Sequence, residues 1–365
     1  MKNIVICCDG TSNQFAADKT NVVRLFSLLE RDDEQIGFYH PGLGTMEPPG
    51  AITDVGRKLR RTLGMAIGWG LERDLVDAYA YIMNTYQLGD RVYLFGFSRG
   101  AYTVRALAAL IFMYGLFPPG NEPLIPYAIR QITGFNDQDG DVGKNFDLAA
   151  GFKSTFSSIE CPIHFMGVWD TVSSVGWIAN PLSIPYSTSN PNVLHIRHAV
   201  AIDERRAFFR TNLIGNPKPG QPPRDIEEVW FPGCHSDVGG GYEETENGLA
   251  KLSLEWMLYE AELLGLRFDH AKARVIMAAA EPIGENATIH ESLTGGWWLA
   301  EGVLKKRKQP AGWKANWAAR RKIPEGAKIH RSAIVRANYE IKLPTNFTIV
   351  ERPAGFLAEQ SRPLA

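Results

Sequence analysis

A single residue separates an apolar run from the clearest helical pattern of the chain. Residues 92–97 have the composition of a buried strand, and residues 99–114, rich in Ala and Leu, have that of a helix. The same alternation recurs along the chain, with further strands predicted at 3–8, 36–39, 163–169, 193–201 and 229–231 and further helices at 22–29, 71–86, 203–209 and 249–264. Such alternation predicts an α/β fold with a mainly parallel sheet and helices on both faces.

The turn between this strand and helix carries the sequence Gly96-Phe97-Ser98-Arg99-Gly100, which has the form G-x-S-x-G. In a chain with 35 glycines the pentapeptide alone is weak evidence, but a strand-to-helix turn is the setting that a nucleophile elbow needs. There the Ser98 hydroxyl stands clear of the sheet, and the N–H of Arg99 at the helix N-terminus faces a developing oxyanion. The alternative is an ordinary tight turn in which Ser98 caps the helix.

A nucleophilic serine needs a base and an acid that orients the base. In a fold of this kind they follow the serine in the order Asp or Glu, then His. Asp170 comes directly after the strand at 163–169, and catalytic groups collect at such strand ends in an open α/β sheet. His235 lies on a glycine-rich loop after the strand at 229–231, from which it can reach across the sheet edge to Ser98.

Other residues compete for both roles. His330 is the second choice for the base, and Asp237, two residues after His235, is the second choice for the orienting acid. Asp170 alone is also consistent with a turn or N-cap residue, and His235 with a histidine of a turn.

Six stretches, taken in this order, resemble the DUF2235 family of α/β hydrolases, which includes the catalytic domains of type VI secretion phospholipase effectors of the Tle1 group. They are DGTSN at 9–13, YHPGLGT at 39–45, GDRVYLFGFSRGA at 89–101, GVWDTV at 167–172, AIDERR at 201–206 and PGCHSDVGGGY at 232–242. The resemblance implies an α/β-hydrolase-like fold and a triad of Ser98, Asp170 and His235. It also implies that some members cleave ester bonds of phospholipids.

The end of the first strand is expected to complete an oxyanion hole. The N–H of Arg99 supplies the first donor, and the N–H of Gly10 or Thr11 supplies the second. We expect Asp9 to shape this loop as a turn residue while the backbone does the chemistry.

A basic, tryptophan-rich segment at 297–322 stands out beyond residue 265, where the alternation weakens. It holds four Trp, eight Lys or Arg and one Glu, so its net charge is +7 and the rest of the chain carries −8. We therefore predict a catalytic domain at 1–265 and a C-terminal extension at 266–365 that packs on the same domain as a cap. Trp with Lys and Arg suits peripheral contact with an anionic membrane; the alternative is a solvated loop whose tryptophans pack on the main domain.

The composition excludes several classes of protein. The net charge of −1 argues against a general nucleic-acid binder. Of the four cysteines, Cys7 and Cys8 are adjacent on a predicted strand, so their side chains point to opposite faces, and Cys161 and Cys234 lie far away. They form neither a disulfide framework nor a metal motif, so we expect reduced thiols, no cofactor and no metal. The sequence leaves open whether carboxylates at the sheet edge, such as those of Asp9 and Asp237, bind a cation. We expect a cytoplasmic protein, since neither a signal peptide nor an apolar run of about 18 residues is apparent.

The first hypothesis for function is a serine hydrolase that acts through an acyl-enzyme on carboxylic esters, foremost phospholipid-like lipids. One alternative is a hydrolase of non-lipid esters, such as acylated sugars or small acyl esters. The other is a non-catalytic binding module on the same fold. The sequence does not indicate the oligomeric state.

Overall fold

The structure is a computed structural model. It describes residues 1–10, 19–42, 69–136, 142–157, 159–172, 176–177, 180–181, 184–207, 209–215, 224–279, 286–294, 298, 301, 305–307, 312–314, 316–352 and 356–357.

Eight parallel strands form one sheet. In chain order the strands are β1 (Asn3–Cys8), β2 (Gln35–His40), β3 (Arg91–Phe97), β4 (Ile163–Trp169), β5 (Gly176–Trp177), β6 (Asn180–Pro181), β7 (Val193–Ala201), β8 (Asp225–Phe231), β9 (Lys305–Arg307), β10 (Gly312–Lys314), β11 (Ala327–His330) and β12 (Phe347–Val350). The order across the main sheet is β12-β11-β8-β7-β4-β3-β1-β2, and every neighbouring pair is parallel. The strands β5 and β6, and likewise β9 and β10, form separate two-stranded antiparallel sheets.

Helices cover both faces of this sheet. They are α1 (Asn21–Leu28), α2 (Trp69–Thr85), α3 (Arg99–Tyr114), α4 (Ile125–Thr133), α5 (Val142–Phe156), α6 (His235–Gly239), α7 (Gly248–Leu263), α8 (His270–Ala278) and α9 (Arg331–Ile334). One buried cluster joins the sheet to α2, α3 and α4, and a second joins its other face to α1, α7 and α8. Cys8 packs in the first cluster and Cys7 in the second, as expected for adjacent strand residues. The predicted α/β fold is confirmed.

The sequence pattern predicts an irregular chain without strands or helices at residues 118–160, but this range contains the helices α4 and α5. That prediction is wrong for reasons visible in α4. Its buried residues, Ile125, Ala128, Ile129 and Ile132, have the spacing of a helix with one apolar face. Pro126 lies within the first turn, where a helix tolerates proline.

The helix predicted at 203–209 is absent from the described residues of that range. Carboxylates take up N–H groups that a helix would use. Glu204 accepts a hydrogen bond from the N–H of Arg206 at 2.8 Å, and Glu301 accepts one from the N–H of Ala207 at 2.5 Å. Side chains that bond nearby backbone groups compete with helix formation in this way.

Part of the C-terminal extension completes the main sheet. The strand β11 pairs with β8, and β12 pairs with β11. A third buried cluster, which includes Trp230, Ile323 and Ile329, packs these strands in place. A domain boundary at residue 265 stays a prediction. Within the described ranges, no helix is both long enough and apolar enough to cross a membrane.

Candidate active site

Ser98 occupies the sharp turn between β3 and α3. Its backbone has φ 59° and ψ −118°, a conformation that residues with a side chain rarely adopt. A Cβ on Gly96 would lie 2.5 Å from the carbonyl oxygen of Gly100, and one on Gly100 would lie 2.1 Å from that of Cys8. Both glycines are therefore needed for the turn. The Ser98 side chain makes no capping hydrogen bond, so the turn is not an ordinary serine-capped one.

Asp170 follows β4, the neighbour of β3 in the sheet. The N–H of Ser98 donates to the carbonyl of Trp169 at 3.1 Å, which sets the two strand ends side by side. Asp170 also has a positive φ, 38°, and its carboxylate is fully buried. The N–H of Ala201 donates to Oδ1 at 3.0 Å.

His235 begins α6, just after β8, and turns its ring toward Asp170. Its Nδ1 lies 2.5 Å from Oδ2 of Asp170. The rings of Phe97 and Phe209 pack on the imidazole, with centroids 4.6 and 4.8 Å away. Because Phe97 directly precedes Ser98, this packing holds the imidazole beside the elbow. Among the described residues no hydrogen bond joins Ser98 to Nε2 of His235, and such bonds are often long in enzymes without substrate.

The charge state of this pair suits a general base. Burial lowers the pKa of His235, and the opposing pull of Asp170 does not reverse that shift. Burial alone would raise the pKa of Asp170, but Arg321 and the hydrogen bond with His235 outweigh it and hold this pKa well below its usual range. At neutral pH the site therefore pairs a neutral imidazole with an ionised carboxylate.

Arg321 is a site residue that the sequence did not reveal. Its Nη1 donates to Oδ1 of Asp170 at 2.5 Å, and its Nη2 donates to Oδ2 at 3.1 Å. The side chain is 6% exposed. In the sequence it is one of eight basic residues at 297–322, and nothing local distinguishes it from its neighbour Arg320, which is exposed.

Glu204 is a second buried residue that sequence reasoning did not assign to the site. Its carboxylate accepts from the N–H of His235 at 3.2 Å and forms an ion pair with Arg206 at 2.9 Å. Burial raises the pKa of Glu204, but Arg206 outweighs that effect and lowers it overall. The one available signal was the AIDERR stretch at 201–206, which carried the family resemblance.

The competing residues have other partners. Asp237 lies 2.6 Å from Nδ1 of His290 and accepts from the N–H of Cys234 at 2.9 Å. His330 ends β11, where its Nδ1 lies 2.7 Å from the hydroxyl of Ser332. Burial lowers the pKa of His330 to about 4. Neither residue is paired with a member of the predicted triad.

Of the three expected oxyanion donors, the structure describes two, Arg99 and Gly10. A Cβ on Gly10 would lie 3.3 Å from Cβ of Ser98, so the loop after β1 does reach the elbow. The N–H of Gly10, however, donates to Oδ1 of Asp9 at 2.7 Å. Arg99 is the first residue of α3, whose initial N–H groups lack helical partners. Thr11 lies outside the described residues.

The hydroxyls of Thr20 and Tyr39 donate to the other oxygen of Asp9, at 2.7 and 2.9 Å. Within the described ranges, no three His, Cys, Asp or Glu side chains are placed to hold a metal ion.

Comparison with known proteins matches residues 2–260 to a family model described as the catalytic domain of Tle1-like type VI secretion phospholipase effectors. An uncharacterised protein of Saccharomyces cerevisiae, YEL023C, is 29% identical over 73% of this chain and 58% of its own length.

Two solved structures are also similar. An uncharacterised protein from Pseudomonas aeruginosa has a TM-score of 0.46 and 20% identity over 76% of this chain and 48% of its own. A Tle1 effector bound to the VgrG spike of the type VI secretion system has a TM-score of 0.36 and 18% identity over 68% and 52%. The chain thus spans about half the length of these relatives.

Proposed function

The chain belongs to the family of Tle1-like phospholipase effector catalytic domains, and on that premise we propose that it is a serine hydrolase of carboxylic esters. Ser98 is the nucleophile, His235 the general base and Asp170 the acid that orients it. The observation that carries the proposal is the 2.5 Å contact between Nδ1 of His235 and Asp170, made beside a serine held in the elbow conformation.

Each side chain has a defined step. Oγ of Ser98 bonds to the ester carbonyl carbon while its proton passes to Nε2 of His235. The same proton then goes to the leaving alkoxide, which departs as an alcohol and leaves the acyl group on Ser98. Water, deprotonated by His235, then attacks the carbonyl carbon of the acyl-enzyme. As the bond to Ser98 breaks and the acid is released, the imidazolium returns this proton to Oγ of Ser98. Asp170 stabilises the imidazolium that forms in both halves.

Backbone N–H groups stabilise the negative oxygen of the tetrahedral intermediates. Arg99 supplies the first, from the N-terminus of α3. Gly10 or Thr11 supplies the second. For Gly10 to do so, its N–H must exchange Oδ1 of Asp9 for the oxyanion.

A fluorophosphonate probe tests the nucleophile. The folded wild-type protein should become labelled, and Ser98→Ala should not. Ser154→Ala, a change in an exposed serine of α5, is the matched control and should label like wild type. Absence of labelling in the folded wild type, or equal labelling of Ser98→Ala, contradicts the proposal and favours the non-catalytic binding module.

We propose lipid esters as the substrate class, which is what the family's description names for its members. A series of p-nitrophenyl esters of rising acyl length, assayed beside phospholipid vesicles, tests this. A rate that rises with acyl length and with vesicles supports lipids. Turnover confined to short esters supports the alternative, a hydrolase of small or sugar-linked acyl groups.

We also propose that the segment at 297–322 contacts an anionic membrane surface. Of this segment, the described residues are 298, 301, 305–307, 312–314 and 316–322. Trp298 is 54% exposed and Trp317 is 74% exposed, and both Arg320 and Lys322 are exposed. Indole rings beside cations suit the interface of anionic lipids.

Vesicle binding tests this contact. Neutralising the basic residues at 305–308 should weaken binding to anionic vesicles and leave the weaker binding to neutral ones unchanged. Trp317→Ala should weaken binding to both kinds of vesicle, because an indole ring does not need an anionic headgroup. Leu263→Ala removes a similarly exposed apolar side chain from α7 and should have no effect. Unchanged binding of the charge variant excludes the membrane contact.

A further inference from the structure

We propose that Arg321 is a positioning residue of the active site: its guanidinium fixes the Asp170 carboxylate and thereby sets the orientation of His235 and its strength as a base. This inference rests on the proposed function. It assigns a role to a residue that lies beyond the range 2–260 matched by the family model.

The guanidinium is held rigidly. Besides its two bonds to Asp170, it donates from Nη1 to the carbonyl of Ala201 at 2.9 Å and from Nη2 to that of Phe209 at 2.5 Å. A planar guanidinium with paired N–H groups matches the geometry of a carboxylate. Four hydrogen bonds to three separate segments therefore define the plane in which the Asp170 carboxylate lies.

The carboxylate needs such support. Asp170 has a left-handed backbone conformation, which residues with a side chain seldom adopt. The end of the strand therefore does not by itself fix the position of this carboxylate. Each of its oxygens takes one bond from Arg321 and one from another group, the N–H of Ala201 on Oδ1 and His235 on Oδ2. Without Arg321, a single backbone N–H and the imidazole itself would hold the carboxylate.

The charges around His235 are balanced in two pairs. Asp170 is paired with Arg321, and Glu204, which accepts from the N–H of His235, is paired with Arg206. The uncharged rings of Phe97 and Phe209 also pack on the imidazole. A buried imidazole in balanced surroundings gains little from protonation. If the positive charge of Arg321 were removed, a proton on His235 would be the main partner for the negative charge of Asp170. The pKa of His235 would then rise.

The C-terminal segment that carries Arg321 is itself anchored. Buried Glu301 accepts from the N–H of Ala318 at 2.8 Å and from the side chain of Asn316 at 3.0 Å. Trp317 and Ala318, a few residues before Arg321, both have positive φ values, 50° and 54°. The active site thus depends on a chain segment about 60 residues past the matched range, held in a strained turn.

Arg321→Met, in the full chain, is the main test. We expect kcat for a p-nitrophenyl ester to fall by about 10–100-fold, with KM little changed, because the carboxylate loses its second support. We expect the acid limb of the pH profile to move upward by about one unit. Arg331→Met is the control, since that arginine lies outside the segment at 297–322, is exposed and pairs with the surface carboxylate of Glu351. It should leave both quantities unchanged.

A readout without turnover separates this inference from the proposed function. Titration of the His235 imidazole by NMR in the isotope-labelled protein should give a pKa about one unit higher in Arg321→Met than in wild type. An unchanged His235 pKa in the folded variant overturns the role of Arg321. If the wild type resists the fluorophosphonate but the pKa moves, the proposed hydrolase is wrong and the hold of Arg321 on the pair stands.

Arg321→Lys covers the case in which Arg321→Met does not fold. Lysine keeps the charge and loses the paired N–H groups. We expect a His235 pKa close to wild type and a kcat that is still reduced. A lysine variant with full kcat, or one with a displaced His235 pKa, contradicts the role of the guanidinium in fixing Asp170.

Discussion

Two aspartate–histidine pairs lie close together in this molecule, with nearly the same spacing and opposite electrostatics. Nδ1 of His235 is 2.5 Å from Asp170, and Nδ1 of His290 is 2.6 Å from Asp237. His235 is almost fully buried, and its pKa is lowered by that burial. The hydrogen bond with Asp237 and the nearby carboxylate of Glu246 raise the pKa of His290, whose side chain is 18% exposed.

The difference shows that a short aspartate–histidine contact does not by itself make a base. At neutral pH a base must be unprotonated and must stand beside the group that it deprotonates. The carboxylate of Asp170 is shared with Arg321, whereas His290 faces two carboxylates and stacks on Tyr242 at 3.9 Å. Only the first pair lies at the elbow. The second pair holds the loop that carries His235.

Replacing each of the two histidines by asparagine should give the largest difference in activity. His235→Asn should lower kcat/KM for an ester by about 10⁴-fold, because the proton of Ser98 then has no acceptor. His290→Asn keeps a hydrogen-bond donor for Asp237 and should leave kcat/KM near the wild-type value. Steady-state kinetics on folded variants measures both. A similar loss in the two variants would mean that His235 is not the base.

The two aspartates should differ in stability. Asp170→Asn leaves the charge of Arg321 buried and unpaired, and we expect the free energy of unfolding to fall by about 3–5 kcal/mol. Asp237→Asn leaves hydrogen-bond donors without their acceptor, which costs about 1–3 kcal/mol. Urea unfolding measures both, with the exposed Asp33→Asn as control. Equal losses would show that Arg321 does not depend on Asp170.

The pH dependence of the two histidines should run in opposite directions. NMR titration should place the pKa of His235 below the ordinary value of about 6.5 and that of His290 above it. His290 then contributes stability that is fully present below about pH 6.5 and is lost as the pH rises through its folded pKa. The contribution of His235 is present above about pH 6.5 and is lost as the pH falls through its folded pKa.

Activity should follow His235, with an acid limb below about pH 6.5. Titration of both histidines on the same side of that value would remove the contrast between the two pairs.

The smallest expected effect comes from Glu246→Gln. Its carboxylate lies 3.5 Å from Nε2 of His290 and is mostly exposed, so its removal should lower the pKa of His290 only slightly. Ester hydrolysis and the pKa of His235 should not change. A shift at His235 would indicate that the two pairs are coupled through the loop they share.

Local sequence was sufficient where function depends on neighbouring residues. The elbow could be predicted because its strand, turn and helix occupy one continuous stretch of chain. Asp170 and His235 could be predicted because both follow predicted strands, and parallel strands end at one edge of the sheet. The choice of Asp170 over Asp237 was harder. The sequence ranks Asp237 lower because it lies only two residues from His235 in a loop, and the hydrogen bond of His235 goes to Asp170, 65 positions away.

The sequence by itself determined the α/β architecture, the faces on which Cys7 and Cys8 pack, and the turn at Ser98. These depend on apolar periods and on glycines within a few residues of each other. Only the tertiary structure decided which of two carboxylates bonds to the His235 ring and that Arg321 bonds to that carboxylate. Arg321 lies 151 residues from Asp170, and its burial depends on where packing places the C-terminal segment. A charge becomes a buried partner only through such packing, and no local pattern separates Arg321 from the exposed Arg320.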